Sequence, residues 1–187
     1  MKHFTLLAAF FVMLAALGYQ AVLGQATDAF SPHVDADGNI SIPKDFRGWH
    51  MLGTWAVATD EDGAVGSKGF HNVYTQAETV AAFRSTGKFP DGAVLVKELF
   101  KATTDTMTTG EISYASETEG WFIMIKDTKG RVKDNPLWGD GWGWALFNAD
   151  DRAKTVTTDY KEDCISCHLP AENDDWIYVG GYPVLKK

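Results

Sequence analysis

Two cysteines and a histidine are the first candidates for chemistry in this sequence. The segment DCISCH places Cys164 and Cys167 three residues apart, with His168 directly after the second cysteine. The chain of 187 residues contains no other cysteine. A pair with this spacing serves three chemistries in proteins, namely half of a zinc site, a redox-active dithiol, and covalent attachment of haem c.

The rest of the sequence favours the haem. A zinc site needs about four ligands, and neither cysteine nor histidine follows His168. A dithiol of the thioredoxin type needs a βαβ context, which this sequence lacks. Cys164 and Cys167 fall on one helical turn, so both sulfurs can bond the same porphyrin while His168 ligates its iron. We therefore predict one haem c, covalently attached through Cys164 and Cys167, with His168 as an axial ligand of the iron.

The N-terminus has the pattern of a secretory signal peptide. Lys2 precedes an apolar run from 4 to 17, and small residues at 24 and 26 are typical of a cleavage site. The run is shorter than the ~20 apolar residues of a membrane span, although an uncleaved anchor is the alternative. We predict a signal peptide over 1–26, a single domain over 27–187, and a periplasmic or otherwise exported protein.

The charge of the chain limits its partners. A formal net charge of −8 is unfavourable for binding nucleic acid or an anionic membrane surface. We therefore expect neither partner once the signal peptide has been removed. The charge is better suited to solubility than to recognition.

The elements that must position the motif are mostly strands. Segments rich in aromatic and β-branched residues, bounded by Gly, Asp or Pro, predict strands at 70–76, 93–100, 119–127, 141–148 and 177–185. Helices are predicted at 76–87, ending at Gly87, and from Asp159 into the cysteine motif, ending soon after His168 because of Pro170. This pattern predicts an α+β, β-rich fold in which an antiparallel sheet packs with a few helices in a single haem c domain.

The sixth iron position distinguishes electron carriers from ligand-binding haem proteins. A carrier fills it with methionine or histidine, whereas a gas binder or an enzyme leaves it open. The candidates are Met51, Met107, Met124, His33, His50 and His71. None has a setting that indicates a ligand, and Met124 lies in an apolar strand typical of core packing. We predict an open, five-coordinate iron.

Lys97 occupies an unusual place in the predicted strand 93–100. Side chains alternate along a strand, so Lys97 shares a face with Leu95 and Leu99, while Glu98 points to the opposite face. Apolar residues on both faces predict a central strand, in which a charged ammonium is costly unless it is paired. A lysine that extends its head to the strand end is the alternative.

Four segments resemble one known family. KDFRGWHMLGT, HNVYTQ, TGKFPDGAVLVKEL and CISCH follow one another in this order, and together they resemble the cytochrome P-460 family over nearly all of the mature chain. The resemblance implies a β-rich antiparallel fold, one haem c with a histidine proximal ligand, and a homodimer. It also implies that Lys97 matches a lysine that bonds covalently to the porphyrin edge in the namesake proteins.

The resemblance implies two functional branches. Cross-linked members oxidise hydroxylamine and act on nitric oxide, whereas the related cytochromes c′-beta lack the cross-link and bind small gases in an apolar distal pocket. The first branch makes this chain an oxidoreductase that binds a small nitrogen-oxide or hydroxylamine-type ligand and serves a soluble redox partner. His71, Phe122 and Asp140 are the candidates for the distal pocket. A non-enzymatic gas binder and a simple electron carrier are the alternatives.

Overall fold

The computed structural model describes residues 30–60, 62–63 and 65–186. The predicted signal peptide, 1–26, lies outside these residues. The chain divides into two units, Met1–Pro32 and His33–Lys187, and every element described below belongs to the second unit.

A six-stranded antiparallel sheet forms the centre of this unit and confirms the predicted fold class. The order of the strands across the sheet is β1-β2-β3-β4-β6-β5. The strands are β1 (His50–Ala58), β2 (Ser67–Thr75), β3 (Val94–Met107), β4 (Gly110–Lys126), β5 (Trp138–Gly139) and β6 (Trp142–Asn148). β2, β3, β4 and β6 overlap the segments predicted from their aromatic and β-branched residues, and each prediction extends one residue beyond its strand.

β3 is an interior strand, as its two apolar faces predict. It pairs with β2 on one side and with β4 on the other. Lys97 lies opposite Val73 of β2 and Phe122 of β4, and directly paired residues project from the same face of a sheet. We call this side, which also carries Met124 and Trp144, the site face.

The helical elements are short. The α-helices are α1 (Ala77–Thr86), α2 (Tyr160–Asp163) and α3 (Ile165–His168), and the 3-10 helices are Phe46–Gly48, Leu169–Asp174, Val179–Gly181 and Pro183–Leu185. α1 matches its prediction, since Gly87 ends it with a φ of 74°, a left-handed conformation that glycine adopts without strain. Among the described residues, no helix is long and apolar enough to cross a membrane.

The C-terminal segment packs against the site face instead of joining the sheet. The strand predicted at 177–185 is wrong, because this stretch forms two 3-10 helices. Gly180, Gly181 and Pro183 suit turns better than strand pairing. Ile177, Tyr182 and Leu185 are nevertheless buried in the core, so the apolar residues of the stretch contribute to packing although its backbone forms no strand.

Two strands had no prediction, and one predicted helix is interrupted. β1 arises from a segment for which no strand is predicted, and β5 is only two residues long. The helix expected from Asp159 to His168 is divided at Cys164, whose φ of −125° is not helical. Past His168 the chain continues through Pro170 as a 3-10 helix, which tolerates proline in its first turn.

Candidate haem site

A cavity of about 190 Å³ lies between the site face and the part of the chain that follows β6. From the sheet it is lined by Val73, Leu95, Lys97, Phe122, Ile123, Met124, Trp144 and Ala145. From the segment after β6 it is lined by Asp163, Cys164, Cys167, His168, Ile177, Tyr178 and Tyr182. The structure therefore brings Lys97 and the cysteine motif, which lie far apart in sequence, to one apolar cavity.

The two cysteines differ in their surroundings although both line the cavity. Asp159 caps α2 by accepting a hydrogen bond from the backbone N–H of Lys161 at 2.9 Å, as its position predicts. α2 ends at Cys164, where the backbone changes direction before α3. Cys164 is buried, and burial raises the pKa of its thiol to about 11, whereas Cys167 is exposed.

His168 has the arrangement of a metal-ligating histidine. Its Nδ1 lies 2.7 Å from the carbonyl oxygen of Trp176. A carbonyl only accepts, so Nδ1 carries the proton, and the unprotonated Nε2 is left available to ligate a metal. Burial lowers the pKa of His168 by more than the hydrogen bond to Trp176 raises it, so the neutral imidazole is favoured. The ring meets Trp144 edge-on, with ring centroids 5.0 Å apart.

Lys97 is only partly exposed and lies among apolar groups. Its Nζ is 4.2 Å from the centre of the Phe122 ring, and no carboxylate of the described residues forms an ion pair with it. Burial lowers the pKa of Lys97, although thiolates at Cys167 and Cys164 would oppose this effect. This environment therefore increases the fraction of Lys97 in the unprotonated form, which is the nucleophilic form of lysine.

The three distal-pocket candidates are placed differently. Phe122 lines the cavity, whereas His71 and Asp140 are not among its lining residues. His71 lies on β2 opposite Leu99, and its pKa is lowered by burial and by the charge of Lys97. Asp140 is exposed and accepts a hydrogen bond from the hydroxyl of Tyr160. The structure thus brings one of the three candidates to the cavity.

Of the six candidate sixth ligands, the structure brings only Met124 to the described lining of the cavity. Met51 and Met107 are exposed. Met124 is buried, as the packing interpretation predicted, and lies opposite Leu95 and Trp144 in the sheet. Packing and cavity lining are therefore compatible roles for this side chain.

Sequence reasoning missed the residues that surround His168. The hydroxyl of Tyr178 donates to the carbonyl of Cys167 at 2.5 Å, and Trp176 supplies the carbonyl to His168. Both contacts depend on a chain reversal at Asp175, which has a φ of 59° without being glycine. No pattern in the sequence marks this reversal, since turns of this kind are usually predicted from glycine.

These features fit a haem of the c type. The cavity offers two thiols, a neutral imidazole with one free nitrogen, and an otherwise mainly apolar lining with aromatic walls. The model of the family described as Cytochrome P460 matches residues 43–179 of this chain. The chain belongs to the cytochrome P460 family. It is a haem c protein of that family, which confirms the resemblance found in its sequence.

The cytochrome P460 match includes both halves of the site. It spans Lys97 on β3 as well as the motif of Cys164, Cys167 and His168. Members of the family are typically exported. No match was found among the curated proteins with which the chain was compared.

Proposed function

We propose that this protein is an exported mono-haem c oxidoreductase that acts on hydroxylamine or nitric oxide at an open iron position. The observation that carries the proposal is the convergence of Lys97, Cys164, Cys167 and His168 on one cavity. The haem iron, when bound, would supply one-electron chemistry and a coordination site for a small nitrogen ligand.

Each of the four residues has a role in this proposal. Cys164 and Cys167 would hold the porphyrin through thioether bonds, and His168 would ligate the iron through Nε2. Lys97 is the candidate for a covalent bond to the porphyrin edge. Its pKa is lowered by burial, which favours the unprotonated amine that such a bond requires.

The remaining lining determines which ligands enter. Val73, Leu95, Phe122 and Met124 present apolar surface to the cavity, which suits a small ligand with little or no charge. The same residues exclude water from the site, and this strengthens the electrostatic effect of the groups that remain inside.

One observation favours the non-enzymatic alternative, a gas binder of the cytochrome c′-beta kind. Hydroxylamine oxidation needs a proton acceptor, and Asp163 is the one carboxylate in the described lining of the cavity. Its Oδ2 already accepts hydrogen bonds from the backbone N–H groups of Thr158, at 2.8 Å, and Asp159, at 3.3 Å. Binding nitric oxide or carbon monoxide to ferrous iron needs no such acceptor.

The deciding experiment is the optical spectrum of the ferrous protein, matured with haem in a periplasm, beside that of Lys97→Ala. A covalent bond to Lys97 shifts the Soret band strongly to the red, and Lys97→Ala returns it to the position of ordinary haem c. Lys101→Ala is the matched control, because Lys101 lies on the same strand but pairs with Glu117 at the surface. If wild type and Lys97→Ala have the same spectrum, the cross-link is excluded.

A turnover assay then separates the two functions. Oxidation of hydroxylamine with a soluble electron acceptor supports the enzyme. Carbon monoxide and nitric oxide binding to the ferrous protein without turnover supports the gas binder. The proposal also includes a homodimer and a soluble redox partner, which sedimentation and stopped-flow reduction measurements test directly.

A further inference from the structure

The hydrogen bond of His168 closes a loop of the backbone. α3 ends at His168, the chain continues as the 3-10 helix Leu169–Asp174, and it reverses at Asp175 and Trp176. The carbonyl of Trp176 then returns to Nδ1 of His168 at 2.7 Å. The acceptor that orients His168 is therefore the backbone carbonyl of Trp176. The position of this carbonyl depends on the backbone conformation at Asp175 and Trp176.

The reversal is strained. Asp175 and Trp176 have φ angles of 59° and 67°, in the left-handed region that non-glycine residues rarely adopt, least of all bulky ones. Strained backbone of this kind persists only where contacts with the surrounding structure hold it in place. The N–H of Trp176 donates to the carbonyl of Ala171 at 2.9 Å, but this contact lies within the loop itself.

The contacts from outside the loop come from the sheet. Nζ of Lys126 lies 2.6 Å from Oδ1 of Asp175. Nε1 of Trp142 lies 3.1 Å from the carbonyl of Asp175 and 3.3 Å from its Oδ1. Lys126 and Trp142 lie opposite each other on β4 and β6, so both donors are fixed to neighbouring strands.

The lysine is itself held in place. Its side chain is only 10% exposed, and its Nζ lies 4.7 Å from the centre of the Trp142 ring. A side chain at Gly141 would place its Cβ 3.0 Å from this Nζ, so the glycine leaves room for the ammonium. None of these groups lines the cavity, and the roles assigned above to the haem-binding residues do not use them.

We propose that Lys126 and Trp142 are positioning residues for His168. They hold Asp175 in its left-handed conformation, and this fixes the Trp176 carbonyl against Nδ1 of the axial histidine. A hydrogen bond of this kind orients a ligating imidazole and raises its basicity. The sheet therefore controls the strength of the iron–histidine bond through two residues that do not touch the cavity. This inference rests on His168 being the ligand, but not on the substrate.

The test is the iron–histidine stretching band in the resonance Raman spectrum of the ferrous holoprotein. Lys126→Met removes the ammonium and keeps the length of the side chain. Asp175→Asn removes the carboxylate and keeps a residue that tolerates the left-handed conformation. We expect both variants to shift the band to lower frequency and to broaden it, because the histidine loses a fixed acceptor. We expect the double variant to shift it no further than either single variant, since both changes remove the same ion pair.

Asp174→Asn is the matched control, with the same chemical change one residue earlier at an exposed position, and its band should match that of wild type. A band of wild-type frequency and width in Asp175→Asn overturns the proposal, even where the melting temperature falls, because it shows a structural role alone. Asp175→Asn decides the matter if Lys126→Met does not fold. His168→Gly separately tests the ligand, since persistence of the band there would refute the assignment of His168 itself.

Discussion

Lys97 and Glu98 show that the environment of a charged side chain depends on the face of the sheet from which it projects. They are neighbours on β3, and strand alternation sends them to opposite faces of the sheet. Lys97 reaches the cavity with its pKa lowered by burial. Glu98 is fully buried and accepts hydrogen bonds from Arg47, Trp121 and Thr118. The strand therefore supplies a satisfied carboxylate on one face and a candidate reactive amine on the other.

The unequal cysteines lead to a labelling prediction. In the haem-free protein at neutral pH, a maleimide should modify Cys167 much faster than Cys164, because Cys164 is buried and its thiol has a pKa of about 11. Only the thiolate reacts appreciably. Mass spectrometry of a short reaction should show one label, located at position 167. Two labels added at equal rates in the folded protein would contradict this picture, and the urea-unfolded protein is the control in which equal rates are expected.

Met124 gives a second prediction, because the electron-carrier alternative needs a sixth ligand and Met124 lines the cavity. We expect the ferrous wild-type protein to bind carbon monoxide, and we expect Met124→Leu to bind it with an affinity within about threefold of wild type. The replacement nearly conserves side-chain volume, so it should cost less than about 1.5 kcal/mol of stability. Carbon monoxide titrations measure both proteins. A wild type that refuses the gas and a variant that accepts it would make Met124 the sixth ligand and the protein a carrier.

Among the secondary-structure elements, β3 has a prediction of its own on the face opposite the cavity. Arg47 forms an ion pair with Glu98, whose side chain is 0% exposed. Arg47→Met leaves this carboxylate buried, with Trp121 and Thr118 as its remaining partners among the described residues. Breaking a buried ion pair costs roughly 3–5 kcal/mol, and we expect the lower end because the Arg47 side chain is 60% exposed.

Urea unfolding at neutral pH measures this cost. Lys101→Met is the control, since it breaks the exposed pair with Glu117 three residues further along the same strand and should cost much less than Arg47→Met. Equal losses in the two variants would show that the burial of Glu98 has no energetic consequence.

The sequence was sufficient for those elements whose signal is local. Alternation and β-branched residues located the interior strands, and a terminal glycine located the end of α1 at Gly87. It was insufficient where tertiary contacts decide. The stretch 177–185 has the composition of a strand but packs as 3-10 helices on the core, because its glycines and proline do not favour pairing.

The features of the site also divide into those that the sequence predicts and those that depend on tertiary contacts. The spacing of Cys164, Cys167 and His168 predicted a haem motif on one helical turn. The structure brings the three side chains to one cavity, although the helix is interrupted at Cys164. Lys97 stood out because a charge among leucines needs an explanation. The hydrogen bond from His168 to the Trp176 carbonyl and the contact of Lys126 with Asp175 could not be predicted. Both depend on a left-handed backbone conformation at Asp175, a position where the sequence has no glycine to indicate it.

For the molecule as a whole, the partly buried His71 predicts loss of stability in acid. Burial lowers the pKa of His71 in the folded protein, and the charge of Lys97 adds to this. Below the unfolded value of about 6.5, the unfolded chain therefore binds more protons than the folded one, and stability falls as the pH falls. One such group contributes a slope of at most about 1.4 kcal/mol per pH unit.

Urea unfolding of the holoprotein between pH 7 and pH 5 measures this slope. His71→Gln should flatten it, whereas His50→Gln, at an exposed position at the start of β1, should leave it unchanged. An identical slope in wild type and His71→Gln would assign the acid sensitivity to other groups.

The cavity lies between an interior strand and the part of the chain that follows β6, and this position also affects the stability of the fold. Exported proteins commonly gain stability from disulfides, but a bridge between Cys164 and Cys167 would close too small a ring to restrict the unfolded chain. A porphyrin bonded at Lys97 and at both cysteines would instead join points roughly 70 residues apart, which a loop-closure estimate values at about 4 kcal/mol. The cofactor would then act as a covalent cross-link that stabilises the fold, and it would stay attached when the protein unfolds.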